Sequence, residues 1–442
     1  MKSLATFILL SLIHLSVVAQ EAISLSDAIQ IGLSNNYQIE IAERNIEIAQ
    51  QNNSWELAGR YPTVSFNLQG GNSYLDQFNP ASFIRELTSV RSDWTGRIDV
   101  QWTIFDGFRV KLTKARLEEL ERISKGNASL AVQATIEDII LAYYQALVQQ
   151  EQLKVINDVL LLSRDRIAYQ EVRKEFGQAT SFDLLQTQDA YLNDSTALLI
   201  QQNNLNNTLR NLNRAMGVDD FTRQYLLTTP LDEAPKRYIF SDLQQRMLAS
   251  NVNLQNLYLN RELAKLNTQL RESEKYPVLS IDVGASYNEN FSKLNAINPQ
   301  TGEQFGAVNG NAFTGFANVN LIYPIYTGGM RKRNIANAKV EEIVAQLGVE
   351  DLKRNLSMQL ANNYATYENQ LQLLELTDRV LENAARNLEI AEERFKGGLI
   401  SSFDYRTIQL GYINASQSRL NAYFNLKLTE TELVRLTGGL VN

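Results

Sequence analysis

The chain contains no cysteine, one histidine and only seven prolines in 442 residues. Without cysteine there is no disulfide framework, no thiolate metal site, no thiol nucleophile and no N-terminal cysteine for lipid attachment. The lone histidine, His14, falls in an apolar N-terminal segment. Removal of that segment leaves no imidazole, which excludes a Ser-His-Asp triad, a histidine metal cage and histidine general-base chemistry. The formal net charge is −7, and a mildly acidic chain without an extended basic run is a poor match for nucleic acid. After residue 20 no apolar run approaches the ~20 residues that a membrane-spanning helix needs.

What is present begins with a targeting signal. Lys2, the apolar run Leu4 to Leu15 and the small-residue site Val17-Val18-Ala19 describe a secretory signal peptide, residues 1–19, cleaved after Ala19. The alternative is an N-terminal anchor, for which the run is too short. An exported chain without a spanning helix meets a membrane only as a β-barrel or as a surface binder.

The remainder is one unit written twice. Ser26-Asp27 recurs as Ser241-Asp242, and Tyr61-Pro62-Thr63-Val64-Ser65 as Tyr276-Pro277-Val278-Leu279-Ser280, both 215 residues on. Phe182-Asp183 recurs as Phe403-Asp404, and Gly217 as Gly438, both 221 residues on. The offset grows by six once, which places a longer loop in the second copy, near Asn288 to Asn311. The division expected is repeat one over 20–218, a linker over 219–239 holding Pro230 and Pro235, and repeat two over 240–442.

Each repeat reads helix, hairpin, very long helix, turn, helix. The prolines punctuate this order: Pro62 and Pro277 start strands, Pro80 and Pro299 sit in loops, and Pro324 closes a strand. None falls in a proposed helix, where it would cost about 3 kcal/mol. The first helix is expected from Ser26 to Gly59, with Ala28, Ile31, Ile39, Ala42, Ile46 and Ala49 at helical spacing. Strands follow over 62–78 and 94–105, a long helix over 107–175, a turn over 176–182 and a helix over 183–216. Repeat two places strands over 277–290 and 312–324, a long helix over 329–395, a turn over 396–402 and a helix over 403–437. The segments Gln77 to Asp93 and Glu289 to Asn311 read as solvated loops.

In the strands Val64, Phe66 and Leu68 alternate with Thr63, Ser65, Asn67 and Gln69. Trp94, Ile98, Val100, Trp102 and Ile104 alternate with Thr95, Arg97, Asp99, Gln101 and Thr103. Period two with one apolar and one polar face describes a sheet between two environments. A lipid-facing sheet and a soluble sandwich hairpin both satisfy it. Tyr61, Trp94, Phe105, Tyr276, Phe313 and Tyr323, near the strand ends, form a candidate aromatic girdle.

The helices decide between the two. Leu112 to Lys174 holds no proline and would reach roughly 90 Å. Leu184, Tyr191, Leu198, Leu205 and Leu212 recur every seventh residue, the spacing of a coiled-coil core. The other faces are heavy in Asn, Gln and charge, as in Gln201-Gln202-Asn203-Asn204. Such a helix suits a wall with water on both sides better than a solid core. Four strands per chain cannot close a membrane barrel, which needs about eight or more, so several chains must share one.

These features together make the chain resemble the TolC-like outer-membrane efflux proteins. The resemblance covers nearly the whole mature chain. It rests on the duplication, the Tyr-Pro strand starts and two Gly-x5-Asp turns, Gly177 to Asp183 and Gly398 to Asp404. It implies a mixed fold of long coiled helices and transmembrane β-structure: a homotrimer sharing a twelve-stranded barrel in the outer membrane of a Gram-negative bacterium, continued by a helical barrel into the periplasm. It also implies a passive exit channel without cofactor, docked to a periplasmic adaptor and an inner-membrane pump and embedded in outer-membrane lipid, with nucleic acid no partner. Its helical tips would open like an iris. Asp404 and Asp183 match family positions near the constriction, and Gly177, Gly397, Gly398, Phe176 and Phe395 match the tip turns that contact the adaptor.

From the residues alone, each aspartate also reads as a first-turn carboxylate of the returning helix, Asp183 more so than Asp404. The glycines read first as positive-φ positions of a tight reversal, and Phe182 and Phe403 as local packing. Departures from the family are Thr407 in place of a second acidic ring residue, and Ile400 and Phe182 in place of polar closing partners, which implies closure mainly by packing. Two other classes fit the sequence less well. A periplasmic coiled-coil adaptor leaves the amphipathic strand pairs unexplained. A hydrolase needs two convergent carboxylates, whereas the acidic residues here are scattered along helix faces.

Overall fold

The computed structural model describes residues 21–231, 234–298 and 300–440. The expected signal peptide with His14 and the Ala19 site, and the loop residue Pro299, lie outside them. Among the described residues the order is β1 (Glu21–Ile23), α1 (Leu25–Asn35), α2 (Tyr37–Asn52), β2 (Thr63–Phe78), β3 (Glu86–Phe105), α3 (Arg109–Glu175) and α4 (Ser181–Ala215). Then follow β4 (Tyr225–Leu227), α5 (Phe240–Ser250), α6 (Val252–Ser273), β5 (Val278–Asn295), β6 (Ala307–Ile322), α7 (Met330–Lys396) and α8 (Ser402–Leu436). No described helix is long and apolar enough to cross a membrane.

The chain forms two compact units that cut across the repeats. One holds residues up to Asn45, Lys125–Asn256 and Val349–Asn442; the other holds Ile46–Ser124 and Leu257–Gly348. The second unit is built on a four-stranded sheet in the order β2-β3-β5-β6, antiparallel throughout. Register puts most of the apolar residues of the four strands on one face, with exceptions such as Phe316, which lies beneath Arg97 on the other. Phe66 pairs Ile98, Ile98 pairs Ala285, Val100 pairs Val283, Ile281 pairs Val319 and Tyr287 pairs Phe313. Ser65, Asp99, Asp282 and Asn318 stand on the other face.

The strands are longer than the sequence indicates. β3 begins at Glu86, not at residue 94, and β5 runs on to Asn295. The stretches expected to be loops, Gln77 to Asp93 and Glu289 to Asn311, are therefore largely hairpin. Their few apolar residues fall on both faces, Leu87 and Val90 in β3 and Phe291 and Leu294 in β5, so alternation is lost while the backbone ladder continues. Trp94 and Phe313 consequently lie inside strands, not at their ends. Trp94 is eleven residues from Phe105, roughly 36 Å along the strand. At a tilt near 40° that corresponds to about 28 Å, close to the height of an outer-membrane apolar band.

In the first unit, the helix expected from Ser26 to Gly59 is broken at Asn36, which adopts φ −75 and ψ 119. Its amide side chain donates to Ala215 O at 3.2 Å and accepts from Gln38 N at 2.8 Å. The break thus serves both the start of α2 and the end of α4. Asn251 repeats the device between α5 and α6, donating to Leu436 O at 2.9 Å and accepting from Leu254 N at 3.0 Å. β1 and β4, unforeseen because each has three residues, pair in parallel. The Tyr143 hydroxyl supports them by donating to Ile23 O at 2.9 Å.

The seam of α4 also differs from expectation. Of the heptad row, Leu184, Tyr191, Leu198 and Leu205 are half-buried and only Leu212 is fully buried, while Thr187, Ala190, Asp194 and Gln201 form a second, buried row. A polar row inside a helix pair must be satisfied by partners, and these partners form the candidate site.

Candidate functional site

Both tips are built alike. α3 ends with Gly177 at φ 72, where Gly177 N donates to Lys174 O at 3.0 Å and Gln178 N to Arg173 O at 2.8 Å. α7 ends with Gly398 at φ 72, with Gly398 N to Phe395 O at 3.0 Å and Leu399 N to Arg394 O at 2.8 Å. This is a Schellman termination, which requires one left-handed residue. Gly397, expected to share that role, does not take a positive φ. Its counterpart in the first repeat is Phe176, so the position accepts a side chain.

The returning helices start with capping boxes. The Thr180 backbone N–H and hydroxyl donate to Asp183 Oδ2 at 2.9 and 2.7 Å, and Asp183 N donates back to Thr180 Oγ1 at 3.2 Å. Ser401 and Asp404 repeat this at 3.2, 2.7 and 3.1 Å. Asp183 and Asp404 therefore sit where the helix dipole and two donors favour a carboxylate. Both are held below the ordinary value of 3.8. The Ser401 hydroxyl and then its backbone N–H lower Asp404; the Thr180 backbone N–H and then its hydroxyl lower Asp183.

A lowered pKa means that the folded state favours the ionised form. The cap is thus complete at neutral pH and down to the ordinary carboxylate range, and is lost as pH falls through the depressed values. Amide exchange at Thr180 and Ser401, corrected for intrinsic rate, is expected to stay constant between pH 7 and 5 and to rise only below about pH 4. Loss of protection at pH 6 would contradict the caps.

The aromatic residues sort differently from expectation. Phe395, expected at an adaptor surface, is only 4% exposed. It stacks on Tyr405 at 5.2 Å, meets Tyr169 edge-on at 5.4 Å, and belongs to a cluster with Leu388 and Ala391 against which Ile400 packs. Phe182 and Phe403, expected to pack locally, are 71% and 63% exposed, as is Phe176 at 76%. Phe182 and Phe403 each stand directly before the acidic residue of a capping box. Of the girdle residues, Tyr61, Trp94, Tyr276, Phe313 and Tyr323 are exposed. Phe105 is half-buried beneath Phe108 at 5.5 Å.

Above the second tip lies a buried polar joint that the sequence reading missed. Arg406 of α8 makes a two-pronged pair with Asp194 of α4, at 2.7 and 2.8 Å. Ser163 Oγ of α3 donates to Asp194 Oδ2 at 2.6 Å. Gln409 of α8 donates to Ser163 Oγ at 3.2 Å and accepts from Arg406 at 2.9 Å. The Thr187 and Ser402 hydroxyls lie 3.2 Å apart. The joint ties the helix pair of repeat one to that of repeat two.

It occurs once. At the 221-residue offset Asp194, Arg406, Ser163 and Arg166 correspond to Ala415, Leu185, Ala384 and Asn387. The available signal was the seven-residue spacing of Thr187, Asp194 and Gln201, a heptad row of polar residues beside the leucine row.

Arg166 is the strained member. It is 4% exposed, and its Nε and Nη1 have no hydrogen-bond partner among the described residues. Its guanidinium lies 5.7 Å from the Tyr405 ring centre. Burial, and then repulsion by Arg406, push its pKa down to about 10, against partial relief from Tyr405 and Asp194. Arg166 is thus a second buried guanidinium near the Arg406–Asp194 pair, repelled by Arg406. Among the described residues no group of three His, Asp or Glu side chains could hold a metal ion.

The comparisons with known proteins agree with this architecture. The family model described as "Outer membrane efflux protein" matches residues 28–218 and 243–439. No curated protein matches the chain by sequence. Among solved structures, the fold is similar to the Campylobacter jejuni CmeC outer membrane channel, with a TM-score of 0.73 and 14% identity over 94% of this chain and 85% of that one. It is similar to the outer membrane protein VceC of Vibrio cholerae, with a TM-score of 0.69 and 14% identity over 94% and 96% of the two chains. It is also similar to the open state of the Neisseria gonorrhoeae MtrE outer membrane channel, with a TM-score of 0.69 and 17% identity over 94% and 89%.

Proposed function

Because the chain belongs to the outer membrane efflux protein family, we propose that its mature form is the passive exit duct of a tripartite efflux or secretion system in a Gram-negative cell. Three copies share one barrel, an adaptor and an inner-membrane pump engage the helical tips, and the tips open by an iris movement. The observation that carries this reading is the sheet. It presents one continuous apolar face across four strands, and β2 and β6 each leave an unpaired edge. Unpaired backbone groups cost several kcal/mol each in lipid, so neighbouring copies must supply the missing partners.

Asp404 and Asp183 are proposed to face the constriction, with Phe176 and the turns at Gly177 and Gly398 meeting the adaptor. In a threefold assembly each aspartate forms a ring of three carboxylates, which favours cations. Capping and ring formation are compatible, and they can be separated. Asp404→Asn removes the charge and keeps an acceptor, whereas Ser401→Ala removes the cap donor and keeps the charge. In planar bilayers Asp404→Asn is expected to lower cation preference, and Ser401→Ala to leave it unchanged. Conductance and selectivity identical to the unaltered protein in Asp404→Asn would exclude Asp404 from the constriction. A periplasmic adaptor, the competing class, would stay dispersed in water without detergent, and the apolar sheet face argues against it.

A further inference from the structure

Helix starts in this chain follow the dipole rule with one class of exception. α1, α4, α5 and α8 carry Asp27, Asp183, Asp242 and Asp404 in their first turns. α6 opens on uncharged residues. α3 and α7 do the opposite. α3 sets Arg109, Lys111, Lys114 and Arg116 before its first acidic residue, Glu118, and α7 sets Arg331, Lys332, Arg333 and Lys339 before Glu341. Cations in a first helical turn, here Arg109, Lys111, Arg331, Lys332 and Arg333, work against helix stability; at α3 Asp106 partly offsets them by accepting from Val110 N at 3.4 Å. The two exceptions share one property: each helix leaves the last strand of a hairpin, β3 or β6.

Some of these cations have partners. Arg109 lies 3.7 Å from Asp106, Lys114 2.7 Å from Glu118 and Lys339 3.1 Å from Glu272, and Arg331 donates to Glu274 O and Pro324 O at 3.2 Å. Lys111, Lys332 and Arg333 are exposed and have no ion-pair partner among the described residues.

Apolar side chains project beside them. Ile325 and Tyr326, between β6 and α7, are each 86% exposed. Phe108, between β3 and α3, is held at φ 68, a conformation that is an outlier for a bulky residue. Its counterpart in the second repeat is Gly329, at φ 81. The strained backbone keeps the Phe108 ring exposed, with the Lys111 ammonium 5.8 Å from the ring centre. A groove of about 400 Å³ lined by Trp55, Trp102, Phe108 and Lys111 adjoins it.

Aromatics at the rim of an apolar face, followed at once by cations, are the arrangement that meets a leaflet bearing negative charge. We propose that this junction binds the headgroups of anionic phospholipids, Lys111, Lys332 and Arg333 contacting the phosphates while Phe108, Ile325 and Tyr326 lie at the acyl boundary. The inference rests on the membrane reading of the sheet.

Quenching of tryptophan fluorescence by brominated lipids tests it on the full chain reconstituted in vesicles. In a Trp94→Phe background both remaining tryptophans, Trp55 and Trp102, report on the junction. Brominated phosphatidylglycerol is expected to bind there roughly threefold or more above brominated phosphatidylcholine at low salt. The preference should fall to about one in Lys111→Gln/Lys332→Gln/Arg333→Gln and in high salt. It should persist when three remote exposed cations are removed in Arg44→Gln/Arg379→Gln/Arg386→Gln. Equal quenching by the two lipids in the Trp94→Phe protein, or a preference that survives the junction variant, overturns the proposal while leaving the channel reading standing. Absence of quenching by either lipid overturns both.

Discussion

Asp194→Ala is expected to destabilise the joint above the second tip by roughly 3–5 kcal/mol, the range for removing one partner of a buried ion pair. The carboxylate is well buried, with 6% side-chain exposure, and it accepts from Arg406 through two bonds and from Ser163. Its loss leaves Arg406 and Arg166 facing each other with no counter-charge. Replacing both partners by apolar residues, Asp194→Leu with Arg406→Met, should recover most of the loss, because no charge is then left buried. Arg166→Met should stabilise on its own, since it removes a guanidinium with two unsatisfied nitrogens. Thermal melting of the detergent-solubilised protein, with amide exchange localised to α4 and α8, reads all three. If Asp194→Ala and the double variant melt together, the pair carries no specific energy. Because the joint links the helix pairs of the two repeats, and the proposed iris movement would part them, Asp194→Ala should also raise the open fraction in bilayer recordings.

How much of this was legible follows from where side chains meet a second environment. The inner halves of the strands were readable because one face is apolar: Val64, Phe66 and Leu68 alternate cleanly. The far ends, residues 86–93 and 291–295, were not, because apolar residues such as Leu87, Val90, Phe291 and Leu294 fall on both faces there and erase the period while the ladder persists. The break at Asn36 was hidden for another reason. Asparagine tolerates the surface of a helix, and only the Ala215 carbonyl, 179 residues away in sequence, makes the kink necessary. The polar joint was missed because apolar periodicity drew attention to Leu184 and Leu198, while Asp194, three residues from Tyr191, reads as a solvated carboxylate until Arg406 is placed opposite it. The duplication was fully visible and helped least there, since Ala415 and Leu185 occupy the matching positions. The placement of the gate and the adaptor surface came from family resemblance and not from periodicity, and the burial of Phe395 marks the limit of residue-by-residue transfer.

The same duplication yields a second large effect, at glycines that served in the sequence only as markers of the repeat. Gly438→Ala is expected to cost roughly 2–4 kcal/mol and to lower the melting temperature by several degrees. Gly438 has φ +74, and a Cβ there would stand 2.3 Å from Ser250 O. Gly217, its counterpart, has φ +68 and would place a Cβ 2.7 Å from Asn35 O. Both glycines end a long returning helix against the residue just before a helix-breaking asparagine, Asn251 or Asn36. A methyl group would push the backbone off the hydrogen bonds from those asparagines to Leu436 O and Ala215 O. The tip glycines supply the contrast. Gly177 and Gly398 share the left-handed conformation, both at φ +72, but a Cβ on either would meet nothing within 4 Å. Gly398→Ala should therefore carry only the conformational term, about 1–2 kcal/mol, confined to the tip. Melting curves for Gly438→Ala, Gly217→Ala and Gly398→Ala, read beside one another, separate backbone conformation from close approach. If Gly398→Ala proves as damaging as Gly438→Ala, the cost lies in the φ angle alone and the packing of α8 against the α5–α6 break contributes nothing.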